Sequence, residues 1–203
     1  MKQKGIILIA IAILVIILGL ITYNSRFASR EMPRTEQESG DPREDVSQEF
    51  SATFSMQLTS PVFEHNGKIP SLYTCDSENI SPPLAILDVP EEAKSLVLIM
   101  DDPDAIKPAG KVWDHWIIWN IPPGTEEIKE GEEPDGVFGT GSGNNKGYRG
   151  PCPPDGEHRY YFKLYALDTE LDIPEGSTKG QVEGAMNGHI LTQTELIGLY
   201  VRN

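Results

Sequence analysis

Gly150-Pro151-Cys152-Pro153-Pro154-Asp155-Gly156-Glu157-His158-Arg159-Tyr160-Tyr161-Phe162 changes character halfway along. Three prolines and two glycines fix a rigid loop with few backbone donors. From His158 the chain alternates polar and apolar residues through Arg159–Asp168, the pattern of a half-buried strand. His158 and Tyr160 stand where loop meets strand, two residues apart and so on one face. A stiff loop that delivers a His and a Tyr to the mouth of a sheet can build a small binding site. It can equally be a Pro-rich entry to a hairpin, and this stretch alone does not choose.

Working outward, the rest of the chain from about residue 51 also reads as β. Phe54, Met56 and Leu58 alternate with polar residues. Asn66-Gly67 is a tight-turn signal. Asn79-Ile80-Ser81-Pro82-Pro83-Leu84 is a Pro-stiffened loop. Ser95–Met100 is a continuous apolar run of strand length, expected as a central strand covered on both faces. Trp113–Ile121 is a second apolar strand, stopped by Pro122-Pro123. On a period of two, its His115 shares a face with Ile117, Trp119 and Ile121. Residues 124–147 read mostly as loop, and Gly139–Gly147 as a flexible loop able to act as a lid. Ser177–Asn187 is a short helix weakened by Gly180 and Gly184. Thr192–Arg202 reads as a last strand, with a helix as its alternative. The length and the 38% hydrophobic content suit one domain with a real core.

Asp101-Asp102-Pro103-Asp104 follows the central strand. Pro103 extends Asp102 and holds a carboxylate at the sheet rim, although Asp-Pro-Asp is also ordinary turn chemistry. Asp102, His115, His158 and Tyr160 therefore all fall at loop–strand junctions. An Asp that orients a ring, two His and a phenol together make a pocket for a small anion such as phosphate. The same residues could instead serve a hydrolase or a metal-dependent esterase. Short-spaced His ligand pairs are missing, so no metal is expected. No GxSxG elbow occurs, and Cys152 between prolines has nothing nearby to activate it, so no catalytic residue is assigned. Gly139–Gly147 fits neither dinucleotide nor phosphate-loop patterns, and no cofactor is expected.

The N-terminal segment differs. After the short tail 1–4 with Lys2 and Lys4, residues 5–23 (GIILIAIAILVIILGLITY) carry no charge and are long enough to cross a bilayer as a helix. No small-x-small cleavage site follows, which favours an uncleaved anchor over a signal peptide. The basic tail favours the N-terminus in the cytoplasm and the domain outside it. Residues 24–50 are rich in Glu, Arg, Ser and Pro and read as a disordered linker. The net charge of −14 leaves no basic stripe, so nucleic acid is not an expected partner. Cys75 and Cys152 are the two cysteines. They form a disulfide if the domain is extracytoplasmic, or two buried free thiols if it is cytosolic.

NISPPL at 79–84, DVP at 88–90, DPDA at 102–105, DHW at 114–116 and above all GPCPPDGEHRYYFKLYALD at 150–168 together resemble the phosphatidylethanolamine-binding protein family, in its bacterial and archaeal Raf-kinase-inhibitor-like branch. The resemblance covers about residues 53–203. It implies a mainly β domain of antiparallel sheets in Greek-key order, with few peripheral helices. It also implies a small pocket for phosphate-like anions lined by Asp102, His115, Gly150, Pro151, His158 and Tyr160. Members of the family are ligand-binding or regulatory proteins, some of them inhibitors of a protease or a kinase, so such a protein partner is an expectation here. Three positions depart from the pattern. Ile106 stands where DPDA is usually followed by Pro, Ile86 where a Trp is common, and GTGSGNNKG lacks the usual bulky aromatic.

Overall fold

The computed structural model describes residues 55–202. The expected anchor 5–23, the linker 24–50 and Phe54 lie outside the described residues. Among the described residues no helix is long and apolar enough to cross a membrane.

Among the described residues nine strands form two sheets. They are β1 (Gln57–Thr59), β2 (Gly67–Lys68), β3 (Leu84–Leu87), β4 (Ser95–Asp102), β5 (Trp113–Ile121), β6 (Glu127–Ile128), β7 (Val137–Phe138), β8 (Glu157–Leu167) and β9 (Ile190–Val201). The small sheet runs β1-β3-β6 and the large one β2-β9-β8-β4-β5-β7. Among the described residues two α-helices, α1 (Ile106–Ala109) between β4 and β5 and α2 (Lys179–Met186) between β8 and β9, lie in connections of the large sheet. The expectation of antiparallel sheets holds with one exception, since β2 pairs parallel to β9. The pairing order is crossed: β8 returns to pair with β4, leaving β5 on β4's other side.

All eight residues of β4 are buried, as its unbroken apolar run requires. Leu96, Leu98 and Met100 face the core between the sheets, with Phe162, Leu164, Leu58 and Ile86. Val97 and Ile99 face the other way, under Val182 and Met186 of α2. The alternation continues past the apolar run. Asp101 points to the α2 side, where it is 1% exposed and binds Lys163 Nζ at 2.8 Å and Lys179 Nζ. Asp102 points to the opposite side. Two adjacent carboxylates thus serve two separate places.

β5 departs from a simple period of two. Met100 pairs with Trp116 but Asp101 pairs with Asp114, so His115 is an extra residue, a β-bulge. A second shift lies between Leu98↔Ile118 and Leu96↔Ile121, where Asn120 takes φ 56°. The expectation that His115 shares a face with Ile117, Trp119 and Ile121 is therefore corrected. Ile117 and Trp119 pack under α2, Ile121 packs in the core between the sheets, and His115 turns toward Tyr160.

Other expectations divide. Thr192–Arg202 is strand, zipped to β8 from Glu157↔Val201 to Leu167↔Ile190, and the helical alternative is excluded. Leu84–Leu87 is a strand where a loop was expected to end, and two short strands interrupt 124–147. The glycine-rich loop is pinned, not loose. Ser142 N donates to Asp114 O at 2.9 Å, and Asn145 Nδ2 donates to His115 O at 2.9 Å. A Cβ on Gly139 would stand 2.7 Å from both Ile117 Cγ2 and Ser177 O, so glycine here permits close approach.

Candidate functional site

The ends of β4, β5 and β8 converge with the proline loop on a cavity of about 260 Å³. Asp102, His115, Gly150 and Tyr160 line it, together with Arg149 and Cys152. Ala105, Pro108, Ala109, Trp113 and Pro154 supply apolar walls. The site is thus a small polar floor inside an apolar rim.

Each polar group is placed by its local structure. Asp102 ends β4 and caps the turn Pro103–Ala105, where its Oδ1 accepts from Asp104 N at 2.9 Å and Ala105 N at 3.1 Å. Its Oδ2 accepts from His158 Nδ1 at 2.7 Å. His158 is 5% exposed, and its Nε2 lies 3.4 Å from Asp155 Oδ1. Burial alone would lower the His158 pKa, but the bond and charge of Asp102 outweigh it and the net direction is up from 6.5. Asp102 and His158 form a buried, mutually neutralising pair.

His115 behaves in the opposite way. Its Nδ1 donates to Arg149 O at 2.7 Å. Burial pushes its pKa below the usual 6.5, so the ring is neutral at pH 7 and Nε2 carries a lone pair with no partner among the described residues. Tyr160 meets the His115 ring edge-on at 5.3 Å. Its Oη is fully buried and unpartnered. The Cys152 backbone approaches the oxygen without completing a hydrogen bond, and the hydroxyl proton has no acceptor. Burial raises its pKa far above the phenolic value, so it is a donor and not a nucleophile.

The proline loop is held from behind. Gly150 N donates to Asn79 Oδ1 at 2.9 Å, and Cys75 N donates to Pro151 O at 3.0 Å. Cys75 and Cys152 are disulfide-bonded, the first of the two alternatives read from the sequence. Gly150 is obligatory, because a Cβ there would lie 2.3 Å from Tyr73 O. Arg159 grips Asp104 through Nη2 at 2.7 Å and Nε at 2.9 Å, tying the DPDA turn to β8.

Of the six expected ligand residues, the structure brings four to the cavity wall. His158 and Pro151 stand outside the lining, His158 behind Asp102 and Pro151 behind Gly150. Sequence reasoning missed Trp113, Arg149 and the α1 residues Pro108 and Ala109. Arg149 holds His115 through its carbonyl, a contact that leaves no side-chain signal, whereas the position of Trp113 beside the DHW motif could have marked it.

The fold and this site define a mainly β, two-sheet architecture with few helices. The family profile described as phosphatidylethanolamine-binding protein matches residues 59–201, and the chain belongs to that family. A UPF0098 protein of Methanothermobacter thermautotrophicus is 55% identical over 153 residues, covering 72% of this chain and 99% of the relative. The crystal structure of CT736 from Chlamydia trachomatis, named as a phosphatidylethanolamine-binding protein homolog, superposes with TM-score 0.70 at 47% identity, covering 73% of this chain and 99% of that one. Escherichia coli YbcL, described as a member of the mammalian family, superposes with TM-score 0.68 at 28% identity, covering 74% of this chain and 100% of that one.

Proposed function

We propose that the domain is a binding module whose cavity takes a small anionic ligand of the phosphate type. It acts outside the cytoplasm, is tethered to the membrane by residues 5–23, and has a regulatory or inhibitor-like role with no chemical step. The observation that carries the reading is the Tyr160 hydroxyl, a buried donor without an acceptor on a residue that lines the cavity. Such groups are costly unless a ligand completes them. A ligand oxygen on Tyr160 also comes within reach of His115, whose one N–H is already committed to Arg149. His115 therefore joins by taking up a proton or by accepting one from a protonated ligand oxygen. The apolar rim admits a carbon substituent on the anion.

The test is calorimetric titration of the purified full chain with inorganic phosphate. Saturable binding is expected, weakened about tenfold or more in Tyr160→Phe, the loss associated with a hydrogen bond to a charged partner. Equal affinity in that variant, or no binding by the parent, overturns the reading. A second reading, hydrolysis of a phosphate or acyl ester, draws on one observation: a neutral His115 fixed at Nδ1 with Nε2 free has the form of a general base. Turnover in an ester screen that is lost in His115→Gln would favour it.

A further inference from the structure

His158 does not line the cavity, yet its nearest partner does. Its Nδ1 sits 2.7 Å from Asp102 Oδ2, and both side chains are at most 5% exposed. The Asp102 carboxylate already accepts two backbone N–H groups through its other oxygen. Its charge is consequently fixed in place at the cavity floor, and its neighbours decide whether that charge is felt. We propose that His158 is a positioning residue that sets which sign of ligand the pocket accepts: with the imidazolium present, Asp102 is cancelled and the cavity takes an anion; with the ring neutral, the bare carboxylate repels anions and the cavity takes a cation. The proposal rests on the anion-binding reading above and adds a second ligand class to the same site.

The cavity has the parts for both states. For the anion there are Tyr160 Oη and His115. For a cation there are Asp102 and the lining residues Trp113 and Tyr160, whose ring type attracts ammonium groups within about 6 Å. Trp113 already holds Lys111 Nζ 5.4 Å from its ring centre. The groups facing His158 are Asp102 from β4, Asp104 from the turn that follows, Asp155 from the proline loop, Tyr160 stacked at 6.5 Å on β8, and Tyr200, its register partner on β9. All three charged ones are carboxylates, and none opposes protonation. The net direction for His158 is up, and for His115 down, so the two rings titrate on opposite sides of 6.5.

Sulfate is the probe, because its charge does not change across the range used, about pH 5 to about pH 9. Its affinity for the full chain is expected to fall in two steps as pH rises: below 6.5 as His115 loses its proton, and above 6.5 as His158 does. Each step should be about tenfold or more, the order of one unit charge near the ligand at a protein's effective dielectric. Tetramethylammonium is expected to show the reverse upper step, binding more tightly at high pH. Asp102→Asn, which retains an acceptor for the Asp104 and Ala105 amides, should lose the upper step and bind sulfate more tightly than the parent at about pH 9. His158→Gln should lack the upper step and keep the lower one, binding sulfate above 6.5 as weakly as the parent does above its upper step. If His158→Gln fails to fold, the parent and Asp102→Asn profiles decide. Sulfate binding with the upper step retained in Asp102→Asn, or no upper step in the parent, overturns this proposal and leaves the anion reading standing. No sulfate or phosphate binding by the parent at any pH overturns both.

Discussion

Tyr160 carries the sharpest conflict between stability and binding in the molecule. Leaving a buried hydroxyl without an acceptor costs about 1–3 kcal/mol. Tyr160→Phe keeps the ring against His115 and removes that cost, so the empty protein should be more stable by up to about 1–2 kcal/mol while phosphate binding weakens. Denaturant unfolding without ligand checks it, and a less stable variant would show that the hydroxyl is already satisfied. The two histidines give a second expectation. His158 has its pKa raised in the fold, so its contribution is full below 6.5 and is lost as pH rises through the higher folded value. His115 has its pKa lowered, so its contribution is full above 6.5 and is lost as pH falls toward the lower folded value. Together they give a stability maximum near 6.5, which unfolding midpoints across pH would reveal as a bell flattened above 6.5 in Asp102→Asn. What the sequence made legible at this scale was identity, not depth. His158 and Tyr160 belong on one face by their spacing, but spacing cannot say that His158 stops behind Asp102 while Tyr160 reaches the cavity.

At the scale of elements, β5 shows why alternation misleads. Its apolar run was readable as a strand, yet two register shifts turn His115 out of the series and reverse the faces of its neighbours. A bulge is hard to read in a strand buried on both faces, because the apolar residues on either side of it do not alternate with polar ones. Asn120 is the second irregular point. It holds φ 56°, and its side chain both accepts from Leu171 N at 2.8 Å and donates to Leu171 O at 3.0 Å. Asn120→Ala loses both bonds and the tolerance of a left-handed backbone, for about 2–4 kcal/mol, whereas Asn120→Gly loses the bonds alone, for about 1–2 kcal/mol. Equal costs in thermal unfolding would contradict this account. β4 and β8 were legible because burial on two faces and on one face leave different patterns. β3, β6 and β7 were not, since strands of two to four residues are fixed by their partners and not by their own sequence.

Over the whole molecule, the site is supported by segments distant in sequence. The Cys75–Cys152 bond spans 77 residues and places a covalent link in the cavity wall. Chain entropy gives such a link about 4–5 kcal/mol at most. Reduction, or the Cys75→Ser and Cys152→Ser pair, should lower the melting temperature and weaken phosphate binding together; unchanged binding after reduction would show that Asn79 and the β-sheet hold the wall unaided. Tyr200 of β9 and Arg202 just past its end, both bound to Asp76 beside Cys75, brace the same loop. The fold class was legible from this scale of pattern, whereas the parallel pairing of β2 on β9 was not, since two residues carry no directional signal. The placement of β9 also bears on the order of events during synthesis. β8 is made first, and one of its edges stays bare until β9 follows, although β4 already waits at the other. A nascent chain halted before residue 190 therefore displays a long, unpaired and partly apolar strand edge, the kind of surface that nucleates aggregation. Ribosome stalling and C-terminal proteolysis in that region should yield insoluble fragments and not a smaller working domain.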